Sequence, residues 1–178
     1  MTRIIAGSAR GRRLEVPEGQ GTRPTGEKVR SAVFNLLGQF FDGGAVLDLY
    51  AGTGALALEA LSRGCERAVC VEADRRAVEI LRRNVEVLGF GDRVDVRLGR
   101  VADLVRRLPA GFALAFVDPP YQDGPAEGLG AAGPLLLPGG RAVAEHDSKW
   151  KPPERIGLLS LVDTRRYGGT GISIYSRD

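Results

Sequence analysis

The chain has 178 residues, enough for one domain with a complete hydrophobic core but short for two. Hydrophobic residues make up 43% and charged residues 26%, as is typical of globular domains. No apolar stretch approaches the ~20 residues of a membrane-spanning helix and no signal-peptide core is visible, so we expect a cytoplasmic protein. Two cysteines and one histidine do not form a zinc-binding pattern, so we expect no metal site.

Positive charge is concentrated near the N-terminus. The formal net charge of the chain is +3, whereas residues 1–30 alone carry seven basic and three acidic side chains. Six of the seven basic residues are arginine, whose planar guanidinium group matches phosphate oxygens. A solvated tail would show the same excess, but these arginines lie between turn glycines and apolar residues. We therefore expect a polyanionic partner.

The first predicted elements are a hairpin and a helix. Two short extended segments, 3–6 and 12–16, flank a glycine-containing turn and predict the hairpin. Apolar residues then recur at helical spacing from residue 25 to residue 40, and Thr25 is a suitable N-cap.

Alternating strands and helices follow. Strands are predicted at 45–49, 67–71, 94–98, 114–117 and 141–145, and the helices between them at 55–62, 75–88, 101–108 and 129–137. The segment Pro138-Gly139-Gly140 is predicted to end the last helix. Two final strands, 158–166 and 171–175, are joined by a hairpin-like turn, so the last strand should be antiparallel to the others.

This order of elements predicts a Rossmann-like α/β fold with a parallel sheet covered on both faces. Counting from the strand at 45–49, we expect seven strands in the order 3-2-1-4-5-7-6. We divide the chain into a basic N-terminal segment, 1–24, and a main domain, 25–178.

A glycine-rich turn follows the first strand of the main domain. Gly52, Gly54 and Ala57 satisfy a dinucleotide-binding fingerprint, and Glu72 has the position of a ribose-binding acid. These features alone predict a nicotinamide cofactor. Asp48, however, precedes the glycines, where a carboxylate suits a positively charged amine and is an unusual neighbour for a pyrophosphate.

S-adenosylmethionine carries an amino acid, a sulfonium and an adenosine, and it matches these residues group by group. Nicotinamide enzymes also need hydride-transfer residues, and no such set is recognisable, so we predict S-adenosylmethionine as the cofactor. The loop after the third strand, at Arg100 and Val101, is expected to lie against adenine. The predicted cofactor-binding residues are Asp48, Tyr50, Gly52, Gly54, Glu72, Ala73, Arg100, Val101 and Asp118.

Asp118-Pro119-Pro120-Tyr121 follows the fourth strand, at the edge of the sheet where such folds bind ligands. The exocyclic amine of a base is a weak nucleophile and must be oriented toward a methyl donor. The Asp118 carboxylate and the Pro119 carbonyl are predicted to accept its two hydrogens, in a turn stiffened by the prolines. Tyr121 is predicted to stack on the base. A purely structural turn is the alternative, which the adjacent aromatic and the upstream glycine turn disfavour.

Together these motifs resemble those of the bacterial 16S ribosomal RNA guanine-N2 methyltransferases of the RsmD type. The resemblance implies a class I methyltransferase fold, S-adenosylmethionine as cofactor and a guanine amine as target. It also implies that the substrate is 16S rRNA in an assembled or partly assembled small ribosomal subunit. The matching segments are 3–7, 10–14, 22–25, 29–30, 34–35, 48–54 and 118–121.

The same resemblance implies that the N-terminal hairpin and the following Arg-Pro-Thr loop contact RNA and help to close the site. The predicted RNA-binding residues are Arg3, Arg10, Arg12, Arg13, Arg23, Thr25 and Arg30. An adenine-N6 methyltransferase of DNA or RNA stays open as the alternative, because the double-proline turn would serve adenine equally well. A non-catalytic RNA-binding or nicotinamide-binding protein is a third possibility. We expect a monomer.

Overall fold

The computed structural model describes residues 2–17, 24–120 and 122–178, and of residues 24 and 25 the backbone only. The roles predicted for Arg23, Tyr121 and the Thr25 side chain lie outside these described residues.

The centre of the molecule is an eight-stranded, mostly parallel sheet, and a two-stranded antiparallel sheet precedes it. The small sheet consists of β1 (Thr2–Arg3) and β2 (Arg13–Leu14). The strands of the large sheet are β3 (Ala45–Asp48), β4 (Arg67–Glu72), β5 (Val94–Leu98), β6 (Phe112–Val117), β7 (Leu136–Asp147), β8 (Arg155–Ile156), β9 (Leu159–Tyr167) and β10 (Thr170–Arg177). Their spatial order is β5-β4-β3-β6-β7-β10-β9-β8.

Within the described residues, five α-helices connect and cover the strands. They are α1 (Pro24–Leu37), α2 (Ala55–Ser62), α3 (Arg75–Leu88), α4 (Val101–Leu104) and α5 (Ala126–Ala132). Single 3-10 turns occupy Gly91–Arg93, Val105–Arg107 and Gly133–Leu135. Within the described part of the chain, none of the helices has the length and apolar character needed to cross a membrane.

The seven predicted strands of the large sheet occur in the predicted order, and β10 is antiparallel to both of its neighbours. The predicted number of strands is wrong, because the two-residue strand β8 pairs with the start of β9. The prediction that Pro138-Gly139-Gly140 ends a helix is also wrong, since these residues lie inside β7. The pairing of β7 with β6 shifts register there, which accommodates a proline that cannot donate to a neighbouring strand.

Apolar side chains fill both faces of the sheet. Val46, Phe116 and Val143 point to the face covered by α1, α2, α3 and the N-terminal hairpin (residues 2–14). Leu47, Val117 and Ala144 point to the opposite face, which α4 and α5 cover. Because side chains alternate along a strand, the residues after Leu47, Val117 and Ala144 project toward the first face. Those residues are acidic: Asp48, Asp118 and Glu145.

The N-terminal hairpin is packed against α2 and contributes Ile4, Ala9 and Leu14 to the core. The amides of Ile5 and Ala6 donate to the two oxygens of the buried Glu59 carboxylate, at 2.8 and 3.0 Å. The Ser62 hydroxyl accepts from the Ala9 amide at 2.9 Å and donates to the Ala6 carbonyl at 2.6 Å. These hydrogen bonds fix the hairpin on α2.

Two glycines of this hairpin provide a test of how tightly it is docked. Gly7 and Gly11 both have positive φ, 85° and 81°, so alanine brings similar backbone strain, about 1–2 kcal/mol, at either position. A Cβ at Gly7 would overlap the Ser62 carbonyl oxygen, whereas a Cβ at Gly11 would meet open space. We expect Gly7→Ala to lower the free energy of unfolding by about 1–3 kcal/mol more than Gly11→Ala, as urea titration will measure. Equal losses would contradict the tight docking.

Candidate active site

A cleft of about 870 Å³ opens at the carboxyl ends of β3, β4, β5, β6 and β7. Loop residues after β3, β4, β5 and β6 line it, together with Glu145 near the end of β7 and Glu127 at the start of α5. The predicted site residues that line the cleft are Tyr50, Gly52, Glu72, Ala73, Arg100, Val101, Asp118, Pro119 and Pro120. The structure therefore brings together most of the predicted cofactor-binding residues and the first three residues of the Asp-Pro-Pro-Tyr turn.

The cleft is strongly acidic. Glu72, Asp118, Asp123, Glu127 and Glu145 all line it, and Arg100 is the one basic lining residue in the described part of the chain. Sequence reasoning missed Asp123, Glu127 and Glu145. Such a surplus of carboxylates favours a ligand that carries positive charge and disfavours a phosphate group inside the cleft.

Asp118 and Glu145 lie side by side at the ends of adjacent strands. Val117 and Ala144, the residues immediately before them, are paired in the β6–β7 register. Neighbouring strands are ~4.8 Å apart, so the two carboxyl groups start from backbone positions about that far apart. Burial raises the pKa of Asp118 well above its ordinary value, and repulsion from Glu145 and from Asp48 adds to the rise. Asp118 thus holds a proton more readily than an exposed aspartate.

Asp48 lies beneath the cleft, not in its wall. Its side chain is 1% exposed, and neither carboxylate oxygen has a hydrogen bond within the described chain. Burial raises its pKa to about 7, a rise that nearby backbone amides of Ala57 and Tyr50 only partly oppose, and repulsion from Glu72 adds to it. The predicted direct contact of Asp48 with a bound amine is therefore not available in this structure. Leu49, the residue after Asp48, is the first residue of this segment in the cleft wall.

The pKa of Asp48 makes the free energy of unfolding depend on pH. Because the folded-state pKa lies above the ordinary value of 3.8, the unfolded chain ionises first. The contribution of Asp48 to the free energy of unfolding is therefore fully present below pH ~4, decreases as the pH rises toward about 7, and is constant above that pH. The total decrease is on the order of 4 kcal/mol. Asp48→Asn removes the titrating group, so we expect the variant not to show this decrease. The free energy of unfolding of the variant, relative to that of the native protein, should therefore increase between pH 4 and pH 7 in urea titrations. A difference that is independent of pH would contradict the assignment.

Glu72 joins the glycine turn to the end of β4. Its two carboxylate oxygens accept hydrogen bonds from the Gly52 amide at 2.7 Å and from the Asp74 amide at 2.8 Å. Gly52 has a φ of 53° and faces open space in the cleft. The turn therefore presents backbone, and no side chain, to whatever occupies the cleft at this point.

Gly54 has a different role from the one predicted. It does not line the cleft, and a Cβ on it would overlap the Leu81 side chain of α3. Its φ of 84° also suits glycine at the start of α2. Gly54 is thus explained by packing between the turn and α3, not by the approach of a ligand.

The predicted RNA-binding arginines divide into exposed and buried residues. Arg3, Arg10, Arg12 and Arg13 are exposed on the N-terminal hairpin, although the Arg12 guanidinium donates to a backbone carbonyl of α3. Arg30 was predicted to contact RNA at the protein surface, and this prediction is wrong because Arg30 is buried. Arg30 is 5% exposed, because α1 buries that face against α2 and the hairpin, and its guanidinium donates to the Arg3 carbonyl at 2.6 Å.

Comparison with known proteins agrees with this geometry. Residues 2–176 match the family model described as conserved hypothetical protein 95. The "Putative rRNA methyltransferase YlbH" of Bacillus subtilis is 37% identical, and the match covers 98% of this chain and 98% of that one. The "Ribosomal RNA small subunit methyltransferase D" of Escherichia coli K12 is 39% identical over 68% of this chain and 61% of that protein.

A solved structure also matches nearly the whole chain. The "Putative methyltransferase yhhF from Escherichia coli" is 31% identical, with a TM-score of 0.85. The match covers 99% of this chain and 98% of that one. The chain therefore belongs to the conserved hypothetical protein 95 family of RsmD-type methyltransferases.

Proposed function

We propose that the chain transfers a methyl group from S-adenosylmethionine to the exocyclic N2 amine of a guanine in 16S rRNA. The observation that carries the proposal is the pair of carboxyl groups, Asp118 and Glu145, at the end of adjacent strands in an acidic cleft. The names of the related proteins support ribosomal RNA as the substrate. In this proposal the chain acts as a monomer, in the cytoplasm, on an assembled or partly assembled small subunit.

The charge and the lining residues of the cleft support S-adenosylmethionine as its ligand. This cofactor carries an ammonium, a sulfonium and a carboxylate, so its net charge is positive and complements the surplus of carboxylates. Glu72 would hold the ribose hydroxyls, the open turn at Gly52 would admit the methionine portion, and the loop at Arg100 and Val101 would lie against adenine. The buried charge of Asp48 favours a cation above it. When bound, the cofactor supplies an activated methyl group.

The Asp-Pro-Pro turn would orient the amine of the base. The Asp118 carboxylate and the Pro119 carbonyl accept its two hydrogens, which points the nitrogen lone pair into the cleft. Pro119 is buried and Pro120 is exposed, so the turn is anchored on one side while its other side borders the opening. As the nitrogen gains the methyl group it loses one proton, and the raised pKa of Asp118 suits that carboxylate to receive it. Positioning of this kind can lower a barrier by roughly 7–11 kcal/mol.

Glu145 favours guanine over adenine. The Watson–Crick edge of guanine presents donors at both N1 and N2, whereas adenine presents a donor at N6 beside an acceptor at N1. When both carboxyl groups are ionised, as acceptance of the departing proton by Asp118 requires, they accept hydrogen bonds and cannot donate; in that state they match the guanine edge and repel the adenine N1. In this arrangement Asp118 accepts from N2 and Glu145 accepts from N1.

Substitution of Glu145 tests that arrangement. Glu145→Gln keeps the size of the side chain but replaces one acceptor by a donor. We expect kcat/KM for methylation of guanine to fall roughly 10- to 100-fold, the cost of losing a hydrogen bond to a charged acceptor. Glu86→Gln, an exposed change on α3, serves as the matched control. Unchanged kinetics of Glu145→Gln would remove Glu145 from base recognition.

One assay tests the proposed function itself. The protein is incubated with methyl-labelled S-adenosylmethionine and unmodified small subunits, free 16S rRNA or DNA, and the nucleic acid is digested to nucleosides. The proposal expects label in N2-methylguanosine. Label in N6-methyladenosine would favour the alternative adenine-N6 enzyme, for which the double-proline turn is equally suited. Tight binding of a nicotinamide cofactor without any transfer would exclude both.

The N-terminal segment, 1–24, is proposed to contact the RNA beside the cleft. The exposed arginines of the hairpin, Arg3, Arg10, Arg12 and Arg13, supply positive charge on the side of the molecule where α2 and α3 lie. Phosphate contacts of this kind would place the RNA without reading its sequence.

A further inference from the structure

A second basic surface lies at the other end of the sheet. β10 is antiparallel to both β7 and β9, so β9 runs parallel to β7 and ends at the edge where the cleft opens. β8 pairs only with Leu159 and Ser160 of β9. The Leu161 amide still donates to the Glu154 carbonyl at 2.8 Å. Across residues 162–167, β9 has β10 as its one strand neighbour within the described chain, and its outer side is open.

The strand register places part of this surface in line with the catalytic carboxylates. Glu145 of β7 is paired with Ile172 of β10, and Ile172 is paired with Arg165 of β9. The three side chains share one face of the sheet, and the backbone of Arg165 lies two strand spacings, or roughly 10 Å, from that of Glu145. Tyr167, two residues further along, projects from the same face at the cleft edge and is 38% exposed.

A separate segment adds more positive charge at the same place. The loop after β7 is held on the turn between β9 and β10 by a hydrogen bond from the Ser148 amide to the Gly169 carbonyl, at 2.9 Å. The Trp150 ring packs on the buried ring of His146, with centroids 4.6 Å apart. Lys149 and Lys151, on either side of this anchor, are exposed.

The acidic side chains nearby are already engaged. Asp163 forms an ion pair with Arg165 at 3.1 Å and also accepts from the Thr164 amide. Asp147 accepts from the Lys149 amide at 2.7 Å. Arg166, on the opposite face from Arg165, is exposed. Four basic side chains, those of Lys149, Lys151, Arg165 and Arg166, stand against the two acidic ones, so positive charge predominates here even with the Asp163–Arg165 ion pair counted.

One explanation for charged residues on an edge strand is that they prevent the strand from pairing with another sheet. That explanation does not account for the lysines, which come from a different segment, nor for the exposed aromatic ring at the end of β9 next to the cleft. A polyanion that delivers a base to an acidic cleft needs cations beside the cleft, because the carboxylates inside it repel phosphates. The N-terminal hairpin supplies them on the side of β4 and β5, and this surface is placed to supply them on the other side.

We propose that the surface formed by Lys149, Lys151, Arg165, Arg166 and Tyr167 binds the phosphate backbone of the RNA strand on the side of the cleft opposite the N-terminal hairpin. The inference rests on the proposed function, since it assumes that the base enters the cleft from RNA. The RNA strand crosses the acidic cleft between two basic surfaces. The Tyr167 ring can stack on a base next to the target guanine. Aromatic stacking of this kind is typically worth ~1–3 kcal/mol.

The test removes basic side chains from the proposed surface, at the carboxyl ends of β7 and β9, and compares the effect with removal of two arginines that precede the amino end of β6. One variant carries Arg165→Ala and Arg166→Ala, and a second carries Lys149→Ala and Lys151→Ala. The matched control carries Arg106→Ala and Arg107→Ala, two exposed arginines on the turn before β6, at the far edge of the sheet. Binding of an unmodified 16S rRNA transcript is measured across a salt series, with methyl transfer to the same RNA and to unmodified small subunits. Arg10→Ala with Arg12→Ala gives the effect of the hairpin for comparison.

We expect each test variant to weaken RNA binding by about tenfold and to reduce the slope of log affinity against log salt by about 0.7 to 2, since each phosphate contact contributes ~0.7–0.9. The control should keep both the native slope and the native kcat at saturating RNA. Native slopes in both test variants would overturn the inference. So would loss of activity on small subunits with normal binding of free 16S rRNA, which would assign the surface to a ribosomal protein. If the unaltered protein methylates no RNA, the proposed function fails instead, whatever the variants do.

Discussion

Asp118→Asn is expected to reduce methyl transfer at saturating cofactor at least about 100-fold, while the affinity for S-adenosylmethionine changes little. Asparagine has nearly the size of aspartate, so the turn before Pro119 keeps its shape. Its amide, however, can turn a donor toward the amine of the base and cannot take up the departing proton. Loss of one well-placed polar group at a reacting centre commonly costs about 10²–10³ in kcat. Single-turnover rates with unmodified RNA measure the effect directly.

Folding stability separates this effect from unfolding of the variant. The raised pKa of Asp118 means that its ionisation is unfavourable in the folded state. Removing the carboxyl group should therefore leave stability at neutral pH unchanged or increase it. Asp92→Asn, an exposed change far from the cleft, is the control for the loss of one carboxylate. A near-native rate for Asp118→Asn, or a lost rate that saturating cofactor restores, would show that Asp118 serves the cofactor and not the base.

Glu59→Gln is expected to be the most destabilising single change considered for this chain, lowering the free energy of unfolding by about 3–5 kcal/mol. Glu59 is completely buried, pairs with Arg63 at 2.7 Å, and lies 3.6 Å from Arg30. Both arginines are themselves buried. Burial lowers the pKa of Arg30, which shows how poorly its charge is solvated there. Glutamine would leave two buried guanidinium groups with no opposing charge in contact.

The consequence of Glu59→Gln should be visible first at the N-terminal hairpin, because Ile5 and Ala6 donate to the same carboxylate. Urea titration measures the total loss, and hydrogen exchange of these two amides reports whether the hairpin separates from α2 before the domain unfolds. Glu66→Gln, on the exposed loop after α2, should cost little and is the control. A loss below about 1 kcal/mol for Glu59→Gln would mean that the two arginines find other partners.

The elements with clear local end signals were predicted most accurately. The bounds of α3 are confirmed, and its ends have a physical cause: the Asp74 side chain accepts from the Arg76 and Ala77 amides, and Gly89 adopts the left-handed conformation. α2 likewise begins after the left-handed Gly54. At Pro138-Gly139-Gly140 the same kind of signal was misleading. There, pairing between β6 and β7 overrides the local preference of the sequence for a turn.

For the site, the sequence predicts which residues lie near the ends of the strands, but not whether each is buried or which residues it contacts. The prediction for Arg30 is wrong because a charged residue on a helix gives no sign of burial until its partner, Glu59, is located in space. Glu145 was missed, although a signal existed: it ends a predicted strand, while Asp48 lies one residue before the end of another and Asp118 directly follows a third. Only the order and register of the strands show that Asp118 lies beside Glu145 and that Asp48 lies on the next strand, level with Phe116. The assignment of Gly54 likewise required the position of Leu81.

The position of β10 has a consequence for how the protein folds during synthesis. β10 is the last of the ten strands formed by the described residues, yet it lies inside the large sheet, between β7 and β9. Until the ribosome has released it, β7 keeps an open edge, and β8 and β9 have no place to attach. Open edges and non-local pairing both slow folding and expose a nascent chain to aggregation. The domain can therefore complete its sheet only after translation of β10, and a chain cut short before residue 170 would lack the strand that joins its two parts.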